Sequence, residues 1–423
     1  MFHYPTLNLY LYDVREGLGQ SDEETQQNIQ QFLKKLPKDT VLMQSMSDDY
    51  VELADNRSIP LLHKADFPTY DGYYYPVQLH DSYGLLVNCS LTGDFDNGSW
   101  LQNLQTFLIK AVNDQAGSLG QTWVFSAFIE SAENSDELVK HCCSILCPNS
   151  PFEIQQSDDI IVCEASHPHV IIQLYTNKER FDKEAHYFAD WLYLLCYRHK
   201  ITWAYEQRCQ LVNQLKQGAK KIQACEQALR QEKPSPEHLQ TILDDTWQVL
   251  SAYTTHLDEL HSQRHTIEIN VENYKKRLKQ LMTNSKLDLT LLAKFADFAQ
   301  EKYHSQVIRD YEGFSPKLER LKSLIEYIRT SVAIREETRD RDLQRYIAVW
   351  GIGLAAGAIV ASVAGQFPTD KVDVALDFWL GKFLAYLVPP TWIPASISIL
   401  LSISSGFLAG SLMWLFIRLR QKT

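Results

Sequence analysis

The 423 residues contain no phosphate loop, no dinucleotide fingerprint, no nucleophile elbow and no HExxH pair. Common nucleotide-dependent, hydrolytic and zinc-peptidase chemistries therefore have no motif behind them, and no catalysis is expected. Positive charge is also short. Lys and Arg total 41 against 52 Asp and Glu, a formal net charge of −11, whereas a general nucleic-acid binder is usually basic. The N-terminal stretch MFHYPTLNLYLYD has no basic region followed by an apolar core, so no signal peptide is expected. The eight cysteines show no second cluster with zinc-ligand spacing. Free thiols in a reducing compartment are the simpler account of them.

What the chain does hold is ordered by region. Its length predicts two or three domains. Thr6–Val14 alternates apolar and polar residues as a half-buried strand does, and Ser21 with Glu24 forms a capping box opening a helix to about Lys35. Further strands are expected at Pro76–Leu79, Gly84–Cys89, Trp123–Ile129, Ile160–Glu164 and Val170–Tyr175, with helices over Ser99–Asn113 and Ser135–Cys147. Strands interleaved with helices predict one sheet with helical cover. From about Asn177 helix breakers become rare. Leu211, Leu215, Gly218, Ile222, Cys225 and Leu229 step by fours and threes up to Pro234-Ser235-Pro236. A second helix carries Leu250, Tyr253, Leu257, Leu260, Ile267, Val271, Tyr274, Leu278 and Leu281 in register. Such seams bury a stripe on a neighbouring helix, and the short turn between the two predicts an antiparallel hairpin. Lys286–Tyr311 reads as a third helix.

The last quarter changes character. Ser315-Pro316 resembles a helix start, and Leu318, Leu321, Ile325, Ile328 and Val332 continue a coiled-coil seam into the charged collar Arg335–Arg345. Residues 346–367 and 392–417 carry no charge, and each run is long enough to cross a bilayer, which takes about 20 apolar residues. Arginines 335, 339, 341 and 345 precede the first run, and Arg418, Arg420 and Lys422 follow the second. The positive-inside bias then places both termini in the cytoplasm of a multi-pass inner (plasma) membrane protein. The expected fold class is an α+β membrane protein with the following parts: a cytosolic α/β domain (1–178), long antiparallel coiled-coil-like helices (179–314), a stalk helix (315–345) continuous with the first transmembrane helix (346–367), an extracytoplasmic segment (368–391), a second transmembrane helix (392–417) and a basic cytosolic tail (418–423). Within 368–391, Val372, Ala375, Leu376, Trp379, Phe383 and Leu387 share one helical face. Either an interfacial helix or a segment packed on neighbouring protomers accounts for them.

This layout resembles the CorA family of divalent-cation channels. The family's Gly-Met-Asn motif is replaced by Gly365-Gln366-Phe367. The resemblance implies a homo-oligomer, a pentamer, with the first span lining a pore and the cytosolic domain gating it. Leu354, Ala358, Ser362 and Gln366 would then line the pore, unless Ser362 and Gln366 bond across neighbouring spans instead. Repeated around the axis, Asp340 and Asp342 would form an acidic cytosolic mouth, or the collar is a solvated helix carrying the positive-inside arginines. The permeant ion is expected to be a cation; no cofactor is implied beyond a divalent cation such as Mg2+. Two other functions fit the same layout. One is a membrane-anchored signalling or defence effector, like CorA-like chains beside type III CRISPR systems, whose cytosolic domain binds a nucleotide-like messenger. The other is a membrane scaffold. Membrane lipid is the expected partner, and no nucleic-acid polymer is.

Three local clusters complete the candidates. His141-Cys142-Cys143 with Cys147 gathers soft metal ligands, although cysteines within helices are commonly buried as small apolar groups. His167 and His169 flank a proline in an expected turn. Asp94 to Gly98 looks like the start of a calcium loop but lacks the closing glutamate, and reads as a turn.

Overall fold

The computed structural model describes residues 1–17, 20–38, 40, 42, 50–55, 58–61, 70–95, 99–230 and 236–335. The chain divides into two units, residues 1–217 with 253–316 and residues 218–252 with 317–423.

The first unit is organised by a mixed sheet. Ten strands form it among the described residues: β1 (Phe2–Val14), β2 (Tyr50–Glu52), β3 (Ile59–Pro60), β4 (Tyr70–Leu79), β5 (Ser82–Leu91), β6 (Asp94–Phe95), β7 (Gly120–Phe128), β8 (Phe152–Gln156), β9 (Ile160–Ser166) and β10 (His169–Tyr175). The main order is β2-β4-β5-β1-β7-β10-β9-β8, with β3 beside β4 and β6 beside β1. Every pairing is antiparallel except that of β7 with β10. A parallel pair cannot be closed by a tight turn. Residues 129–168, which carry the helix α3 (Ser135–Leu146) and the β8–β9 hairpin, supply the crossover.

Alternation along the strands gives the sheet two unlike faces. On one, Leu7, Leu9, Leu11, Leu85, Val87, Trp123, Phe125, Ile172 and Leu174 pack with residues of α1 (Asp22–Leu33), α2 (Ser99–Ala111) and α3 into a continuous core. Each fully buried aliphatic side chain there contributes about 1.5–3 kcal/mol. The capping box at Ser21 and Glu24 is formed, both reciprocal bonds being present. The opposite face carries Thr6, Asn8 and Tyr10 on β1, Thr122 and Ser126 on β7, and His169 and Gln173 on β10. These residues lie in register across the ladders. The start of α5 (Phe188–Arg230) lies against this second face: the Tyr12 hydroxyl donates to the Leu192 carbonyl at 2.9 Å.

The long helices keep the seams expected of them. On α6 (Pro236–Ser285), Leu250, Tyr253, Leu257, Leu260, Ile267, Val271, Tyr274, Leu278 and Leu281 are all buried. The third helix is built differently from its expectation. It comprises α7 (Thr290–Phe298), a π-helical turn (Ala299–His304) and α8 (Ser305–Arg335). Pro316 lies inside α8 instead of starting a helix. Nearby, the Phe314 carbonyl accepts from the Tyr253 hydroxyl at 3.0 Å. In the second unit Ile222, Ile242, Leu243, Leu321, Ile325 and Ile328 are buried, and Arg320 pairs with Glu226 at 2.6 Å.

The membrane expectations do not hold among the described residues. The fold is a large mixed sheet with helices, and no helix among the described residues is long and apolar enough to cross a membrane. The physical reason is visible in α8, where Lys317, Glu319, Arg320, Lys322, Glu326 and Arg329 leave no long uncharged window. The membrane-protein fold class, the channel assignment and the inner-membrane placement with both termini in the cytoplasm lose their structural support. The spans expected at 346–367 and 392–417 lie outside the described residues. So do Asp340, Asp342, Leu354, Ala358, Ser362, Gly365, Gln366 and Phe367.

Candidate functional site

The second sheet face carries two polar clusters, separated along β7 and β10 by the apolar pair Val124 and Ile171. The first is a buried relay. The Thr122 hydroxyl lies 2.7 Å from His169 Nδ1 and 2.7 Å from His199 Nε2. His169 Nε2 lies 3.2 Å from Glu164 Oε1, and the same oxygen pairs with Arg198 Nη1 at 2.9 Å. The Arg198 guanidinium stacks on the Phe295 ring at 3.8 Å. Tyr274, whose phenol accepts from Arg198, donates to the Leu292 carbonyl at 3.0 Å. Burial pushes both imidazoles well below their ordinary pKa, and the Arg198 cation adds to the effect. Both rings are therefore neutral at pH 7. Burial raises the Glu164 carboxyl while the Arg198 charge opposes the rise. With Glu164 ionised, one arrangement of protons satisfies the chain: His199 donates to Thr122, Thr122 to His169, and His169 to Glu164. The relay ties strands β7, β9 and β10 to α5 and α7.

The second cluster lies four residues further along β10, about 13 Å away at the usual strand rise. Ser126 and Gln173 are direct partners in the parallel ladder, and Tyr175 follows Gln173 on the same face. Gln173 and Tyr175 are fully buried. Among the described residues neither polar atom of the Gln173 amide nor the Tyr175 hydroxyl has a hydrogen-bond partner. Leaving such a group unpaired costs about 1–3 kcal/mol, so three in one place require an explanation. Above them stands Glu184, the first residue of a 3₁₀ turn (Glu184–Tyr187) that follows α4 (Lys178–Lys183). Its carboxyl accepts from Ser126 and is raised to about 7 by burial. The residue as a whole is only part-buried; the enclosed carboxyl decides the shift. Burial raises Tyr10, Tyr73 and Tyr175 most; the Glu184 charge adds to it, directly after burial at Tyr175, after Tyr73 at Tyr10 and after Asp71 at Tyr73. Asn88 donates to Asn8 at 2.7 Å, and Thr6 and Ser90 hydroxyls lie 2.9 Å apart. Tyr73, Asn88, Thr6 and Ser90 are part-exposed and form the solvent edge of the cluster.

The clusters singled out in the sequence fare differently. Cys142, Cys143 and Cys147 are free and buried in the core, with Cys143 Sγ 3.6 Å from Cys163 Sγ. Burial pushes the Cys142 thiol well up; at Cys143 the bond to Cys147 lowers the pKa, but the bond to Cys163 together with burial outweighs it and raises the thiol to about 12. His141 is exposed on the far side of α3. His169 is brought into the relay, whereas His167 contributes only its carbonyl, to Ser150. Asp94 pairs with His3 at 2.6 Å in the short β6–β1 ladder. Among the described residues no group of three or more His, Cys, Asp or Glu converges as metal ligands. A separate cleft of about 660 Å³ lies between α6 and α7, lined by Lys275, Lys279, Lys286, Asp288 and Asp297. It is open, and Lys275 already pairs with Asp297 at 3.1 Å.

Sequence reasoning missed Ser126, Gln173, Tyr175 and Glu184. The signal available was His169 and Gln173 at even spacing among Val170, Ile171, Ile172 and Leu174, polar residues in a strand apolar on both sides. No family model, curated protein or solved structure matches this chain significantly.

Proposed function

We propose that the described part of the chain is a ligand-responsive regulatory module that binds and does not turn over its ligand. The ligand site is the cluster of Ser126, Gln173 and Tyr175 beneath Glu184. One observation carries the reading: a fully buried glutamine whose donor and acceptor are both unpaired, next to a buried unpaired phenol. A carboxamide presents a donor and an acceptor side by side, the pattern that pairs with the edge of a nucleobase. Tyr10 and Tyr73 supply aromatic surface beside it. Among the described residues the charges acting on this cluster are carboxylates, Glu184 and, beside Tyr73, Asp71, which favours a neutral ligand of the nucleobase or nucleoside kind over one bearing phosphate. Ligand contact along β7 and β10 would be felt at Thr122 and His169 on the same strands, and through them at His199 on α5.

The test is a thermal-shift and calorimetric screen of nucleobases, nucleosides and their phosphates against the full chain. A ligand at 100 times its Kd stabilises the folded state by about 2.7 kcal/mol. The expected result is stabilisation by a neutral nucleobase or nucleoside that Gln173→Leu removes. Stabilisation that survives the substitution would move the site elsewhere.

A further inference from the structure

Helix α6 places His261 and His265 one turn apart, outside the buried seam of Leu257, Leu260 and Ile267. Side chains four residues apart on a helix are neighbours, and here the two Nε2 atoms face each other at 3.1 Å. The rings stand 4.6 Å apart at 88°. An ion held at the usual 2.0–2.1 Å zinc–imidazole distance from both nitrogens would subtend an angle of about 100°. That value lies between the right angle of an octahedral pair and the tetrahedral angle.

The surroundings match the second half of such a site. His265 Nδ1 lies 3.5 Å from Glu268 Oε2, so a carboxylate stands behind the ring on the side away from the facing nitrogens, where carboxylates commonly support ligating imidazoles. The same Glu268 oxygen is 3.8 Å from His304 Nε2, on the π-helical turn, and His304 Nδ1 lies 3.0 Å from Gln300 Nε2. π-Turns are frequent at functional sites. His261 packs on Tyr311 at 5.2 Å, and its Nδ1 is buried without a partner among the described residues. One cation opposes the arrangement: Arg264 Nη2 stands 3.4 Å from His265 Nε2.

We propose that His261 and His265 form a two-imidazole site for a late first-row divalent cation of the Zn2+, Ni2+ or Cu2+ class, with Glu268 as the positioning residue. Imidazole suits these ions, and affinity at a given nitrogen site peaks at Cu2+. Two protein ligands leave the other positions to water, so the site is exchangeable.

The experiment is calorimetric titration of Zn2+ and Cu2+ into the untagged, chelator-dialysed full chain, with Co2+ absorption as a second readout. One ion per chain is expected. His261→Ala and His265→Ala should each weaken binding at least tenfold, and Glu268→Gln about tenfold. The exposed His141→Ala should change nothing. Arg264→Gln separates a metal site from a pair of histidines merely bonded to each other, because removing the cation should tighten binding several-fold. Unchanged isotherms for both histidine variants, no binding by the parent chain, or indifference to Arg264→Gln would each overturn the proposal.

Discussion

Gln173 on β10 and Ser126 on β7 are partners in the one parallel ladder of the sheet, yet only the serine is satisfied, by Glu184. Gln173→Leu keeps the volume and removes two unpaired polar atoms from a fully buried position. Without ligand the variant is expected to be more stable than the parent, by about 1–3 kcal/mol. Urea unfolding followed by far-ultraviolet dichroism measures this. A loss of more than about 1 kcal/mol would mean that the amide is bonded in solution.

Glu184 gives a pH signature of definite sign. Its folded pKa of about 7 stands above the ordinary carboxylate value of 4.5, so between those values the folded state holds the proton that the unfolded state has lost. Its contribution is therefore full below about pH 4.5 and gone above about 7, amounting to roughly 3 kcal/mol. Glu184→Gln removes this slope. Parent and variant should have similar stability at pH 4.5, and the variant should be the more stable at pH 8. Parallel stability curves from pH 4.5 to 8 would show that the carboxyl titrates normally.

The Glu164–Arg198 pair is the charged centre of the relay. Glu164→Ala leaves the Arg198 cation buried beside two neutral imidazoles, and breaking such a pair costs about 3–5 kcal/mol. Replacing both partners, Glu164→Ala with Arg198→Met, should recover a large part of that loss, since no unpaired charge remains. A double-mutant cycle by denaturant unfolding reads the coupling. Strict additivity of the two single changes would deny that the groups act together.

Gly120 is held at φ +144°, a backbone region that side chains rarely adopt, and a Cβ there would run into the His199 ring. Gly120→Ala should therefore displace His199 from Thr122 and destabilise the chain by about 2 kcal/mol or more. The displacement is visible as a change in the His199 and His169 imidazole resonances. Unshifted resonances in the variant would show that the turn has room for a methyl group.

Much of the local structure was legible because local rules govern it. The capping box at Ser21 and Glu24, the strand over Thr6–Val14 and the α6 seam from Leu250 to Leu281 each follow from neighbours within one or two turns. The helix start read at Ser315-Pro316 failed because the helix continues through Pro316 in its packed surroundings. His169 was singled out as a metal candidate in a turn, but its partner Thr122 lies 47 positions away in the sequence, and the other partner of Thr122, His199, lies 77 positions from that threonine. Glu184 meets Ser126 only because β7 and β10 are paired around a crossover, and no spacing in the sequence encodes that meeting.

The central claim is that the sheet face at Gln173 and Tyr175 takes a neutral, nucleobase-like ligand. Calorimetric titration of the four common ribonucleosides into the full chain and into Gln173→Leu tests it most directly. One saturable 1:1 isotherm is expected for at least one nucleoside with the parent and none with the variant. Absence of binding by all four, or the same isotherm from both proteins, would contradict it.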